Sequence, residues 1–277
     1  MNDSLRKEKS MGKYKTILYE KRDKVATLTL NRPEKMNALT DEMMAEIPAA
    51  LEESDNDPDV RVTIVTGAGP HFCTGYDLEG GSSYADLKVS LQEAMTVARA
   101  IRKKYLDIMN SRKPTIAKIR GYCFAGGIYI NMMCDVGIAA EDAVFGHTAV
   151  QSAGPTGNAL FVWLLGPRKA KELLLTGRLI TGKEAERIGL VNMAVPPDRL
   201  DEEVELMAKD MASIPLDSSV LTKESIQTAL EVMGLYATFR TQSELNALGR
   251  YGEALLDINL LRGMTKEKLA RLRPKKG

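Results

Sequence analysis

One change of texture divides this chain. Up to Val195, β-branched runs that read as strands alternate with amphipathic stretches that read as helices; from Leu200 onward only helices follow. Strand–helix alternation followed by helices alone argues for an α/β core with a C-terminal helical extension. Lys15–Lys21 and Val25–Asn31 alternate around Arg22-Asp23-Lys24 and predict a β-hairpin. Thr40 can cap a helix running to about Glu53, which Pro48 should kink. Arg61–Thr66 and Thr115–Ile119 are short strands on either side of a long helix, about Tyr84–Asn110. The apolar residues between Gly126-Gly127 and Asp135 predict a short, deeply buried helix. Lys169–Thr176 is amphipathic, Thr181-Gly182-Lys183-Glu184 has the spacing of a capping box, and Leu190–Val195 is a last strand. The extension divides into Leu200–Ile214, Ser218–Met233, Phe239–Leu256 and Met264–Leu272. Three segments follow: a disordered leader over 1–13, a core over 14–198 and a helical region over 199–277.

Composition narrows the function. The 38 basic and 37 acidic side chains of the 277-residue chain leave a net charge of +1, without the basic excess that nucleic acid requires. With 5% aromatics there is little surface for stacking bases. Cys73, Cys123 and Cys134 are odd in number and form no C-x-x-C pair, so neither a disulfide framework nor a metal site is indicated. The polar N-terminus has no apolar signal segment, and the longest apolar run, Ala159–Leu165, is too short to span a bilayer. The expectation is a soluble cytoplasmic protein with no nucleic-acid or membrane partner.

Two motifs are decoys. Gly177–Lys183 has the glycine and lysine spacing of a phosphate-binding loop, but Glu184 stands where Ser or Thr is needed and a helix precedes it, so a helix–turn–helix junction is expected. Gly67 and Gly69 lack the third glycine of a dinucleotide fingerprint. More informative are two segments that share a design: a strand, a glycine-containing turn, then a helix start. The first is Val62–Thr66 with Phe72-Cys73-Thr74-Gly75-Tyr76-Asp77; the second is Ile116–Ile119 with Gly121-Tyr122-Cys123-Phe124-Ala125-Gly126-Gly127. Glycines let backbone approach a ligand, and helix N-termini offer N–H groups to negative charge. If the two turns face each other they make a two-donor oxyanion hole.

These segments, together with Asn31–Leu39, Met132-Met133-Cys134-Asp135, Leu175-Thr176-Gly177 and Ala185–Asn192, resemble the crotonase (enoyl-CoA hydratase/isomerase) superfamily, in one order over roughly residues 14–272. The resemblance implies a crotonase-like spiral of ββα units with a C-terminal helical trimerisation region, and a homotrimer or a dimer of trimers. It also implies an acyl-CoA substrate whose thioester oxygen lies between the backbone N–H groups of Tyr76 and Gly126. Coenzyme A then arrives with the substrate, and no separate cofactor or metal is expected. The CoA and acyl contacts implied are Lys35, Met36, Ala38, Thr74, Asp77 and Leu78, with Gln151 and Asn158 from the loop after His147. A family lysine that would help with phosphate is replaced by Glu79; Lys266, Lys268, Arg271 and Arg273 could substitute, or form a solvated helix face.

The departure from the family is as informative as the match. Family hydratases hold water between two glutamates. The first should stand three residues after Gly126, where this chain has Tyr129; the second should stand four after Phe145, where it has Ala149. The following loop, Gln151–Asn158, is also shorter than its family counterpart. Nearby are Tyr129, a poor base with an ordinary pKa near ~10, and His147, whose ordinary pKa of ~6.5 suits proton transfer. The catalytic expectation is that His147 relays a proton while Tyr129 orients it or protonates the substrate. The structural alternative makes Tyr129 core packing and His147 a satisfied loop residue. His71, beside Pro70, reads as a surface residue at a loop tip, and Asp77 as a group that holds its turn. The leading function is enolate chemistry on an acyl-CoA: hydration of an unsaturated acyl group, alicyclic ones included, or hydrolytic C–C cleavage of a β-oxo ring. A double-bond isomerase and a silent acyl-CoA binder are the alternatives.

Overall fold

The computed structural model describes residues 8–9, 13–82, 89–147, 160–251 and 258–272. Strands β1 (Glu8–Lys9), β2 (Ile17–Arg22), β3 (Val25–Leu30), β4 (Val62–Gly67), β5 (Thr115–Ile119), β7 (Val136–Ala140) and β10 (Met193–Val195) form one sheet in the order β1-β2-β3-β4-β5-β7-β10. The β1-β2-β3 end is antiparallel and the rest parallel. A second, three-stranded sheet joins β6 (Tyr122–Phe124), β8 (Val144–Gly146) and β9 (Leu179–Thr181). The helices are α1 (Asp41–Asn56), α2 (Leu91–Met109), α3 (Gly126–Met133), α4 (Leu160–Thr176), α5 (Gly182–Arg187), α6 (Leu200–Ser213), α7 (Leu216–Val232), α8 (Leu235–Tyr251) and α9 (Ile258–Leu272).

The hairpin forms where alternation predicts it, because Asp23 and Lys24 both take positive φ, the geometry of a tight turn that matches strand twist. Its pairing with β1 corrects the expectation for Glu8 and Lys9, which lie opposite Lys21 and Glu20 as an edge strand; the rest of the leader to residue 12 lies outside the described residues. The Thr40 hydroxyl caps α1 by accepting from the Met43 amide. That helix runs through Pro48 to Asn56, past the expected end, because Met43, Met44, Ile47, Ala50 and Leu51 anchor both halves in the core. Helix α2 starts at Leu91 behind a Ser90/Glu93 capping box, later than expected. Residues 177–183 are not a helix–turn–helix junction: three of them form β9 against β8. Thr181 then caps α5 as its motif predicts.

All eight residues of α3 are buried. The helical extension first covers its own core. Leu200, Val204 and Ala208 of α6 are buried, and α6 packs on β3, β4, β5 and β7. A cleft of about 730 Å³ remains beneath it, over Val25, Thr27 and Ile64. Helix α8 packs on α2. Among the described residues, no helix is long and apolar enough to cross a membrane.

Candidate active site

The two glycine turns lie side by side. Cys73 and Cys123 pair as a parallel bridge, and the Phe124 amide donates to the Cys73 carbonyl at 2.8 Å. Gly75 has φ +91°, and a Cβ there would stand 2.8 Å from the Ala125 Cβ and 3.3 Å from the Gly126 nitrogen. Only glycine allows that approach. Gly126 opens α3, where the first N–H groups have no intrahelical partner. Opposite it, Tyr76 pairs with Leu39: the Leu39 amide donates to the Gly75 carbonyl at 2.7 Å and the Asp77 amide to the Leu39 carbonyl at 2.9 Å. Strand alternation turns the Tyr76 N–H to the side away from Leu39.

The 31–39 loop folds against the first turn. Its pivot is Asn37, fully buried, whose amide group donates to the carbonyls of Ala68 and His71 and whose Oδ1 accepts from the Arg32 amide. Thr74 donates through its amide to the Met36 carbonyl at 3.2 Å, and Arg32 donates to the Ala38 carbonyl and to Asp77 Oδ2 at 2.9 Å. Asp77 Oδ1 accepts from the Glu79 amide, so Asp77 ties its turn together as expected. Lys35, Met36, Ala38, Thr74, Asp77 and Leu78 are thus gathered on adjoining loops. The Lys35 ammonium is not bare: Glu79 lies 2.7 Å away and raises its pKa. In the basic tail, Lys268 donates to the Thr176 and Gly177 carbonyls at the end of α4, and Arg271 pairs with Glu267; Arg273 lies outside the described residues.

Behind the turns, Tyr129 and His147 meet. The phenol oxygen is 2.8 Å from His147 Nε2, and the side chains belong to residues only 8% and 5% exposed. The spacing of the two along the chain, on α3 and just past β8, hid this contact; β6–β8 pairing creates it. Burial drives the imidazole pKa down to about 4, so His147 is neutral near pH 7. Its Nδ1 is buried with no hydrogen-bond partner among the described residues. Phe161 and Tyr105 frame the pair edge-on, with ring centroids 6.3 and 5.6 Å from that of Tyr129. The thiols of the turns are not nucleophiles, since burial pushes the Cys73 pKa up to about 12 and raises that of Cys123.

Ala149, Gln151 and Asn158 lie outside the described residues. His71 is not a surface residue at a loop tip. It stacks on Tyr122 at 4.3 Å, accepts the Tyr122 amide on Nδ1, and is half-buried because Gly121 lets the chains close there. Sequence reading missed Tyr105 and Phe161 as site walls. A phenol on the otherwise apolar buried stripe of α2 (Ala94, Ile108, Met109) was the available signal for Tyr105.

A family model described as enoyl-CoA hydratase/isomerase matches residues 20–249. A probable enoyl-CoA hydratase of Mycobacterium bovis is 36% identical over 225 residues, covering 79% of this chain and 83% of its own. A crotonyl-CoA hydratase of Syntrophomonas wolfei is 35% identical over 227 residues, covering 79% and 85%. Among solved structures, an enoyl-CoA hydratase/isomerase from Xanthobacter autotrophicus superposes with a TM-score of 0.81 at 32% identity, over 94% of this chain and all of its own. A probable enoyl-CoA hydratase from Mycobacterium thermoresistibile gives 0.77 at 36% identity, over 84% and 96%.

Proposed function

Since the chain belongs to the enoyl-CoA hydratase/isomerase family, we propose that it performs thioester-enolate chemistry on an acyl-CoA with a rebuilt proton relay, most simply the hydration of an unsaturated acyl group. The observation that carries this reading is the Tyr129–His147 hydrogen bond at the turn where the first family glutamate would stand. In the proposal, the thioester oxygen lies between the N–H groups of Tyr76 and Gly126. Negative charge develops there as the enolate forms, and each donor of such a hole lowers the barrier by about 3 kcal/mol.

Water attacks the β-carbon, and its departing proton passes to the Tyr129 oxygen as the phenol proton moves to His147 Nε2. The enolate and the imidazolium then coexist briefly as a buried ion pair. Tyr129 returns a proton to the α-carbon while His147 gives back the one it took. A neutral imidazole is the state this relay starts from, and the low pKa of His147 supports it. Hydrolytic opening of a β-oxo ring uses the same relay and the same enolate. The isomerase reading is favoured by one observation: the pair is a single hydrogen-bonded shuttle, which moves one proton from the α- to the γ-position without water.

The proposed relatives in solution are copies of itself. Helix α7 buries none of its residues, and Leu221 and Val232 on it are 68% and 82% exposed. Apolar surface on that scale supports a homotrimer or a dimer of trimers. The test of the reaction is mass spectrometry of straight-chain, alicyclic and aromatic CoA thioesters incubated with the protein in heavy water. Gain of one water supports hydration or ring hydrolysis, separated by fragmentation. Deuterium uptake without water replaces that reading with isomerisation, and binding without change replaces both with a silent pocket.

A further inference from the structure

We propose that the Tyr105 hydroxyl is a positioning group that locks the two candidate oxyanion turns to one another from the far side, so that α2 sets the spacing of the hole. The inference rests on the two-amide hole proposed above and adds to it a residue on an element that lies in neither turn.

Tyr105 is 4% exposed, so its phenol needs partners inside the protein. It finds one from each turn: the Tyr76 hydroxyl at 2.9 Å and the Gly126 carbonyl oxygen at 3.5 Å, the long end of hydrogen-bond range. The Gly126 carbonyl can only accept, so Tyr105 is the donor in that contact, while either hydroxyl of the Tyr76–Tyr105 pair can donate to the other. The two residues whose N–H groups would hold the thioester oxygen are thereby joined through one oxygen atom. The fit requires glycine as well: a Cβ on Gly126 would lie 3.0 Å from the Tyr105 oxygen and 2.7 Å from Leu39 Cδ1. The oxygen is held by a nineteen-residue helix packed on α3 and α8, and its ring leans edge-on against Tyr129. Rigid placement by a helix is what a preorganised dipole site needs.

The test uses Tyr105→Phe, which keeps the ring and removes the hydroxyl that makes the bridge. Butyryl-CoA labelled with ¹³C at the thioester carbonyl is the probe, because a saturated chain cannot be hydrated. Bound to the wild type, its carbonyl resonance should move downfield. In Tyr105→Phe the movement should fall by at least half while Kd stays within about threefold, a split that general loosening of the fold would not produce. Without ligand, amide exchange at Gly75–Asp77 and Gly126–Tyr129 should quicken about tenfold or more, with remote strands unaffected. If a folded Tyr105→Phe protein keeps the full carbonyl shift, the proposal is overturned while the oxyanion hole stands. An unshifted carbonyl in the wild type removes the hole and the proposal together. Should Tyr105→Phe not fold, Tyr76→Phe breaks the same bridge from a more exposed ring, and a retained carbonyl shift there overturns the proposal equally.

Discussion

His147 is held neutral by burial against the phenol of Tyr129, and that state has consequences in two kinds of experiment. The unfolded chain protonates this imidazole below its ordinary pKa of ~6.5, whereas the folded protein resists until about pH 4. The group therefore contributes stability that is complete above pH 6.5 and is lost as pH falls toward 4, up to about 3 kcal/mol. Denaturant melts of the wild type and His147→Gln across this window should converge in slope at neutral pH, with the variant lacking the histidine's share of the acid loss. For turnover, Tyr129→Phe breaks the relay while keeping the ring, and should lower kcat by about a hundredfold or more on whichever thioester the protein converts. The free-enzyme pH profile should stay flat below pH 6.5 and fall only near 4. On the opposite side of the turns, Glu79 occupies the Lys35 ammonium. Glu79→Gln should tighten binding of CoA by about threefold at low salt, an effect that fades at high salt because the pair is exposed. Calorimetric titration with CoA at two ionic strengths checks it.

At the level of elements, the two turns depend on glycine where they touch. Gly75→Ala places a methyl against the Ala125 methyl at a positive φ and should cost about 2 kcal/mol or more, read from the urea midpoint, with turnover lost along with it. The hairpin, α1, β4, β5, the buried α3 and the four C-terminal helices were all legible, because each carries several periods of its pattern or a cap. The strands β6, β8 and β9 were not. Three residues each, such as Tyr122-Cys123-Phe124 and Val144-Phe145-Gly146, are too few to show alternation, and their existence depends on pairing with distant chain. That pairing is also what delivers His147 to Tyr129. The residue types of the site were therefore readable, along with the loops that carry them, while the contact between them was a property of the small sheet. Tyr105 was hidden for a related reason: on α2 it reads as one more apolar-face residue until the turn it touches is known.

For the whole molecule, the helical extension packs on the core through α6 and α8. Helix α6 packs on the large sheet, α8 backs α2 and with it Tyr105, and α7 leaves Leu221, Ile226 and Val232 exposed. A chain that associates through this face should sediment at three or six times its own mass, and a Leu221→Glu, Val232→Glu double variant should run as monomer. Helix α8 packs against both α7 and α2. Enolate formation served by Tyr129 and His147 is read out as deuterium entry at the α-carbon of the thioester that the heavy-water panel selects, with wild type and Tyr129→Phe side by side. Exchange should be rapid in the wild type and about a hundredfold slower in the variant at similar Kd. Equal exchange rates in the two proteins would contradict it.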